Sequence, residues 1–155
     1  MKRLVFKKSL ISEDKIRLKI LDLLSRREHS FKEILLKLKD RVDSKDKLNE
    51  ELIKIRDENL QSDERFTESY VRARSLRGIG PEKISYELIS KGVNSNTIDR
   101  IIYSKEIDWM KILEKEYKKK YKSSADFSLD EISKAKKFFL QRGFNIELIN
   151  EFFKR

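Results

Sequence analysis

Few residues of this 155-residue chain have the types and spacing that catalysis or metal binding requires. It has no cysteine and one histidine, His29, so it offers no thiol nucleophile, disulfide, zinc ribbon or histidine-rich metal site. We expect His29 to be exposed in a loop between helices. Adjacent carboxylates such as Glu50 and Glu51 do not face each other on a helix. The run Gly78-Ile79-Gly80 lacks the lysine of a phosphate-binding loop. We therefore predict no catalytic residue, no metal and no cofactor.

Basic side chains are the abundant chemical groups. The chain has 37 Lys and Arg against 27 Asp and Glu, which gives a net charge of +10. Such an excess favours binding to a polyanion or to an acidic protein surface, and nucleic-acid binding of this kind is sensitive to salt. The excess is largest in residues 1–27, which hold nine basic and three acidic residues.

Three arginines in the middle of the chain form the first candidate binding surface. Arg74 and Arg77 are three positions apart and so lie on neighbouring turns of one helix, which also carries Arg72. We interpret them as a basic ridge, because arginine binds phosphates and carboxylates through two parallel hydrogen bonds. The alternative is a set of internal salt bridges to Glu68 or Glu87.

A second candidate surface is a group of lysines near the C-terminus. Such a group can bind the DNA backbone. The alternative is a solvated helix face, which is the usual role of lysines on a polar helix. The lysines are Lys118, Lys119, Lys120 and Lys122, extended by Lys134, Lys136 and Lys137.

The elements that position these groups are predicted to be helices. Four Gly and one Pro are too few for the turns of an all-β protein, and the abundant Leu, Ile, Lys and Glu favour helices. Apolar residues recur at i, i+4 and i+8, as at Ile16, Ile20 and Leu24. Capping boxes at Ser30-Phe31-Lys32-Glu33 and Ser128-Leu129-Asp130-Glu131 predict two helix starts. The patterns indicate about nine helices and no strand.

Glycine and proline mark the junctions between helices. Gly80 and Pro81 set a turn and start a helix, since proline at the first helical position has no N–H to lose. Ile84 and Leu88 are predicted to lie on the buried face of that helix. Gly92 is predicted to end it as a left-handed C-cap residue.

Apolar spacing also predicts the buried face of the preceding helix. Asp63 is interpreted as a residue of its first turn, where an acid suits the helix dipole, rather than as a partner contact. Phe66, Tyr70 and Ala73 follow at helical spacing and are predicted to be buried. No aromatic residue then remains on the polar face of this helix to stack on bases. Trp109 is expected to pack between the second and third groups of helices.

An internal repeat groups the helices into modules. Gly92-Val93-Asn94 recurs 51 residues later as Gly143-Phe144-Asn145, and the apolar residues that follow each copy keep that offset. We predict an all-α fold, an elongated tandem array of three three-helix modules. The modules span residues 1–62, with a basic N-terminal extension, then 63–105 and 106–155. The first is the most degenerate, since Arg41 stands where the glycine is expected.

The second and third modules resemble the RecX family of bacterial recombination regulators. The middle module of that family has Leu, Asp and an aromatic residue at a helix start, then Tyr-Val-x-x-Arg, Gly-Pro-x-x-Ile-x-x-x-Leu and Lys-Gly-Val. The matching residues are Leu60, Asp63, Phe66, Tyr70, Val71, Arg74, Gly80, Pro81, Ile84, Leu88, Lys91, Gly92 and Val93. Residues 138–144 are similar to the signature of the family's last module, and Ile107-Asp108-Trp109 to its start. The spacing differs from the family pattern at one point, where two residues separate Leu60 from Asp63 and the family usually has one.

The resemblance implies a function that helical spacing does not. Proteins of this family bind the filament of the RecA recombinase on single-stranded DNA. They limit its extension and lower its ATPase, strand-exchange and repressor-cleaving activities in DNA repair, without catalytic residues of their own. The implied partners are the RecA filament and, weakly and in a salt-sensitive way, single-stranded DNA. We expect a monomer.

The sequence also gives an expectation for location. No window approaches about 18 consecutive apolar residues, which a membrane-spanning helix needs. The apolar run near the N-terminus is shorter than the ~7–15 residues of a signal-peptide core. We therefore expect no membrane partner and a cytoplasmic location.

Two other functions stay open at this stage. The turn at residues 78–81 permits a helix-turn-helix protein that binds DNA directly, with residues 81–91 as its recognition helix. That helix has only two basic residues, Lys83 and Lys91, as candidate contacts, and two acids oppose them. A helical scaffold for other proteins is the third possibility.

Overall fold

The computed structural model describes residues 9–121 and 128–154. Over these residues the chain forms nine α-helices and no strand beyond one isolated bridge between Ile11 and Val42, so the all-α prediction is confirmed. The chain separates into two compact units, Met1–Phe66 and Thr67–Arg155. Residues 1–8, in the predicted basic N-terminal extension, and Lys122 lie outside the described residues. The helices are α1 (Glu13–Arg26), α2 (Phe31–Leu38), α3 (Lys45–Asp57), α4 (Asp63–Leu76), α5 (Pro81–Ser90), α6 (Ser95–Ile102), α7 (Trp109–Lys120), α8 (Leu129–Gln141) and α9 (Ile146–Phe153).

The first unit is built around α1, α2 and α3. Their apolar stripes meet in one core, and burial of each such Leu or Ile side chain contributes roughly 1.5–3 kcal/mol. The predicted helix start at Ser30 is confirmed, because the Ser30 hydroxyl accepts a hydrogen bond of 3.0 Å from the Glu33 N–H. The core consists of Ile16, Ile20, Ile34, Leu38, Val42, Leu48, Leu52 and Ile55.

His29, before α2, is buried rather than exposed, so the expectation for this residue is wrong. Its side chain is 2% exposed, because the ring bridges two elements of the first unit. Nδ1 lies 2.9 Å from the Arg27 carbonyl oxygen, and Nε2 lies 3.3 Å from the Lys37 ammonium nitrogen. A carbonyl can only accept, so Nδ1 carries the proton and Nε2 accepts from Lys37. Burial and the two neighbouring cations lower the pKa of His29.

Asp63 is the first residue of α4, and its carboxylate also serves the start of α2. It accepts hydrogen bonds from the Phe31 N–H at 2.9 Å and from the Gln61 side-chain amide at 3.0 Å. The Phe31 N–H is one of the donors that the start of a helix leaves without an intrahelical partner. A carboxylate at this point is also favoured by the dipole of α2.

The second unit forms the same left-handed glycine turn after α4, α5 and α8, at Gly78, Gly92 and Gly143, and the last two begin the repeated segment. The N–H groups of the glycine and of the next residue donate to carbonyls of the preceding helix, at 3.0 and 3.2 Å at Gly92 and at 3.0 and 3.1 Å at Gly143. The φ angles are 81° and 93°, in the left-handed region that glycine adopts without strain. Asn94 and Asn145 then cap the next helix through their side chains. The C-cap prediction for Gly92 is therefore confirmed, and Gly143 repeats it.

Arg41 in the first unit does not form this turn. Its backbone lacks the positive φ angle, and its carbonyl accepts a hydrogen bond of 2.7 Å from the Ile11 N–H. The segment after α2 is thus held by an extended strand-like bridge to residue 11. This replaces the left-handed turn that glycine would allow.

The buried face of α4 differs from the predicted one. Ala73 is exposed, Val71 is buried at 1% exposure, and Tyr70 is only half-buried. The tyrosine hydroxyl needs a polar partner, which keeps its side chain at the edge of the packed surface. Among the described residues, no helix is long and apolar enough to cross a membrane.

Candidate interaction surfaces

Arg74 lies in an internal ion pair and not on an open basic ridge. Its Nη2 and Nε donate to the Glu87 carboxylate at 2.7 and 3.0 Å, and the Tyr70 hydroxyl donates to the same carboxylate at 2.5 Å. Partial burial alone would raise the pKa of Glu87, but these hydrogen bonds outweigh it and lower the pKa. The three groups join α4 to α5. The salt-bridge alternative therefore describes Arg74.

Arg72 and Arg77 remain as exposed cations of the predicted ridge. Neither forms an ion pair with any residue that the structure describes. Arg72 lies on α4, while Arg77 follows its last residue, so the two are not on one continuous helix. The structure thus separates the three arginines into one internal pair and two surface groups.

The start of α5 is covered by the backbone that follows α8. The Gly80 N–H donates to the Arg142 carbonyl at 2.8 Å, and the Glu82 N–H donates to the Gly143 carbonyl at 2.9 Å. Pro81 is the first helical residue and is buried, as are Ile84 and Leu88 on the inner face. Lys83 is exposed on α5, and its Cβ packs against Gly143. Lys91 lies over the Tyr70 ring, 5.5 Å from its centre.

The C-terminal lysines divide into paired and unpaired groups. Three are in ion pairs with acids one turn away on the same helix: Lys118 with Glu114 at 3.0 Å, Lys119 with Glu116 at 3.4 Å and Lys134 with Asp130 at 3.3 Å. Lys120, Lys136 and Lys137 have no carboxylate within ion-pair distance in the described part of the chain. Exposed pairs of the first kind are worth little, but they reduce the local positive charge.

Lys120 and a cation outside the lysine group, Arg142, meet at one aromatic ring. The Lys120 ammonium lies 3.5 Å from the centre of the Phe138 ring, and the Arg142 guanidinium lies 5.1 Å from it. Lys136 lies over Phe153 at 5.8 Å. We call Lys120, Phe138 and Arg142 the Phe138 cluster. Both cations lie close together, and no carboxylate of the described residues neutralises them. The local positive charge therefore favours the binding of an anion.

Sequence reasoning missed the exposed aromatic side chains of α5 and the end of α6. Tyr86 is 76% exposed and Tyr103 is 61% exposed. Partial burial and the carboxylates of Asp99 and Glu82 raise the pKa of Tyr103, so these acids lie beside it. A signal was available for Tyr86, which lies two residues from both Ile84 and Leu88 and so away from the buried face.

Trp109 is buried at the start of α7. Its indole N–H donates a hydrogen bond of 2.8 Å to the Ile102 carbonyl at the end of α6. This contact joins the start of α7 to the end of α6, which is where the sequence placed the junction of the second and third groups of helices. It also fixes the loop between α6 and α7, which forms part of a groove.

A groove of about 570 Å³ lies beside this loop in the second unit. Its walls come from α4, the end of α6, the loop at 104–108 and the first turn of α7. Arg72 lies on the wall that α4 provides. No group of three or more His, Cys, Asp or Glu side chains suited to a metal ion occurs in residues 9–121 and 128–154.

Nine short helices in repeated arrangement over the described residues define an all-α protein with charged surfaces and a groove. Residues 62–101 match the family model described as RecX, second three-helix domain. The chain belongs to the RecX family of regulatory proteins, whose members are not enzymes. It is 37% identical over 134 residues to a regulatory protein RecX of Legionella pneumophila, covering 86% of this chain and 89% of the relative. A relative with the same description from Pseudomonas entomophila is 32% identical and covers 86% of both chains.

Two solved structures have a fold similar to that of this chain. The crystal structure of RecX from Lactobacillus salivarius is similar with a TM-score of 0.75 and 25% identity, over 92% of this chain and 94% of that one. A second crystal structure, of a regulatory protein RecX, has a TM-score of 0.76 at 21% identity and covers 92% of this chain and 73% of the other. This second likeness concerns the fold alone.

Proposed function

We propose that the chain binds the RecA recombinase filament on single-stranded DNA and limits its extension. It thereby lowers the ATPase, strand-exchange and coprotease activities of the filament during DNA repair. The observation that carries this proposal is the match to regulatory RecX proteins over 86% of the chain. The partner itself comes from the family resemblance. A protein that acts by binding alone needs no catalytic group.

We further propose that the Phe138 cluster contacts the DNA of the filament. Lys120 and Arg142 converge on one ring without a carboxylate partner in the described residues. Unpaired cations of this kind bind phosphates with release of counterions, which makes the binding weak at physiological salt and independent of sequence. Lys136 and Lys137 add positive charge on the same helix as Phe138.

The helix-turn-helix alternative is less well supported. A recognition helix inserts the residues of its N-terminal end into the major groove of DNA. In this chain the corresponding end of α5 is packed against the backbone of Arg142 and Gly143, and Gly80 and Pro81 are buried. Entry of this helix into DNA would require the separation of these contacts.

The organisation of the chain forms part of the same proposal. We retain three three-helix modules at residues 1–62, 63–105 and 106–155, supported by the repeated glycine turns and by the order of the helices. We propose that the protein acts as a monomer, in the cytoplasm where the DNA-bound filament forms.

The growth of RecA filaments tests the proposal directly. Filament length on circular single-stranded DNA is measured by electron microscopy, with this protein added below the concentration of the recombinase. We expect shorter filaments, because a bound regulator blocks further addition of subunits. Filaments of normal length, with the protein bound to the DNA, would contradict the proposal and favour direct DNA binding.

A further inference from the structure

We propose that the groove between α4, α6 and α7 binds a segment of a protein partner that has an aliphatic side chain flanked by one acidic and one basic residue. This inference rests on the proposed function, in which that partner is the recombinase. It specifies the surface of this chain that receives the recombinase. The groove lies entirely in the second unit, Thr67–Arg155.

The floor of the groove is apolar. Val71 and Ile101 are buried beneath it, and Ile107 and Ile112 are half-buried along it. Its volume of about 570 Å³ is large enough for several side chains of a peptide. An aliphatic side chain of a partner that entered the groove would remove its own apolar surface and that of the groove floor from water, which favours binding.

The rim of the groove carries charges of both signs. Arg72 and Lys111 are basic, and Glu68, Glu106 and Asp108 are acidic. Asp108 also accepts a hydrogen bond from the Lys111 N–H at 3.1 Å as the cap of α7. None of these five side chains forms an ion pair with another residue in the described ranges, although Glu68 and Arg72 are one turn apart on α4. Elsewhere in the second unit, charged residues at this spacing do pair, as Lys118 and Glu114 do at 3.0 Å.

Mixed charge determines the class of the occupant. A nucleic-acid backbone carries only negative charge, so Glu68 and Glu106 would repel it. A protein segment with one carboxylate and one cation can pair with both kinds of rim residue at once. An apolar floor with a charged rim is also the usual arrangement of a protein interface.

Two double variants with reversed charges test the inference, and they change the net charge of the protein in opposite directions. Arg72→Glu with Lys111→Glu removes the two cations of the rim, and Glu68→Lys with Glu106→Lys removes two of its three acids and leaves Asp108, which caps α7. The matched controls are Lys39→Glu with Lys115→Glu and Asp40→Lys with Glu147→Lys, at exposed sites outside the groove. Each variant is compared with the unchanged protein by fluorescence anisotropy, on RecA filaments and on bare single-stranded DNA. Circular dichroism and thermal unfolding verify that each variant is folded.

We expect both groove variants to bind the filament at least about tenfold more weakly, and both controls to stay within about threefold of the unchanged protein. The decisive variant is Glu68→Lys with Glu106→Lys, which adds positive charge and still loses filament binding. Stronger filament binding by that variant would make the groove a nucleic-acid site and would overturn the inference. Equal binding by all variants would overturn it too. If the unchanged protein itself fails to bind filaments, the proposed function fails, and the groove inference with it.

Discussion

The backbone N–H of Gly80 donates a hydrogen bond of 2.8 Å to the carbonyl of Arg142. The donor belongs to the start of α5 and the acceptor to the end of α8, so each supplies a group that its own helix leaves unpaired. The positive end of one helix dipole therefore faces the negative end of the other. A Cβ atom at Gly80 would collide with the backbone of Gly143 and Phe144, so the close approach itself requires glycine.

Replacement of Gly80 by alanine tests this contact. The φ angle of −83° at Gly80 is one that alanine adopts, so backbone entropy alone predicts stabilisation of about 0.4–1 kcal/mol. We expect instead a loss of about 1–3 kcal/mol of unfolding free energy, because the added methyl group overlaps fixed backbone atoms. Urea unfolding measures the difference. An alanine variant as stable as the unchanged protein, or more stable, would contradict the close approach.

Arg74→Ala tests the internal ion pair of α4 and α5. The substitution leaves the part-buried Glu87 carboxylate without its bidentate partner, and we expect a loss of about 1–2 kcal/mol. Arg72→Ala, at an exposed site of the same helix, is the matched control and should change stability by less than about 0.5 kcal/mol. Thermal and urea unfolding of both variants give the comparison. Equal effects would show that the pair contributes nothing to folding.

Stability should fall when the solution is acidified through the titration of His29. In the folded protein, burial and the cations Arg27 and Lys37 lower the pKa of His29, although the Arg27 carbonyl and Glu33 oppose this shift. The unfolded chain takes up a proton below about pH 6.5, while the folded chain resists it. Stability is therefore fully present above that pH and decreases as the pH falls further.

The pH dependence is measured as unfolding free energy between about pH 8 and about pH 5.5, a range in which Asp and Glu scarcely titrate. His29→Gln is the control, since glutamine has no proton to gain. We expect a decrease for the unchanged protein and a flatter profile for the variant. Identical slopes would show that His29 is not held neutral by the fold.

The Phe138 cluster predicts how DNA binding depends on salt. Lys120→Ala with Arg142→Ala should weaken binding to single-stranded DNA. It should also reduce the slope of log affinity against log salt by about 1.4, which is ~0.7 for each of the two phosphates that the variant no longer neutralises. The control is Lys118→Ala with Lys134→Ala, because both lysines are already paired with carboxylates. An equal change of slope in the two variants would mean that the binding is spread over the surface and does not depend on the cluster.

Local features of the fold were predictable from the sequence. Ser30, Ser128 and Gly92 act within three residues of their own positions, so their roles follow from short-range geometry. The 51-residue offset also revealed the glycine turn at Gly143, because glycine adopts the positive φ angle of this turn without strain.

Contacts between distant residues were not predictable. Gly80 was expected to set a turn, but its approach to Arg142 depends on how α5 and α8 pack. The same holds for Arg74, since Glu87 was one of two candidate partners and its place beside Arg74 depends on how α4 and α5 pack. His29 does lie in a loop, but its burial was not foreseen, because nothing in the local pattern shows that Lys37 and the Arg27 carbonyl enclose its ring.

The hydrolysis of ATP by the cognate RecA recombinase on single-stranded DNA tests the central claim most directly. The protein is titrated below the concentration of the recombinase at near-physiological salt, with DNA coverage measured in parallel. The account predicts that the rate falls at these low ratios, because each bound regulator stops the addition of many subunits. An unchanged rate at unchanged DNA coverage would contradict it.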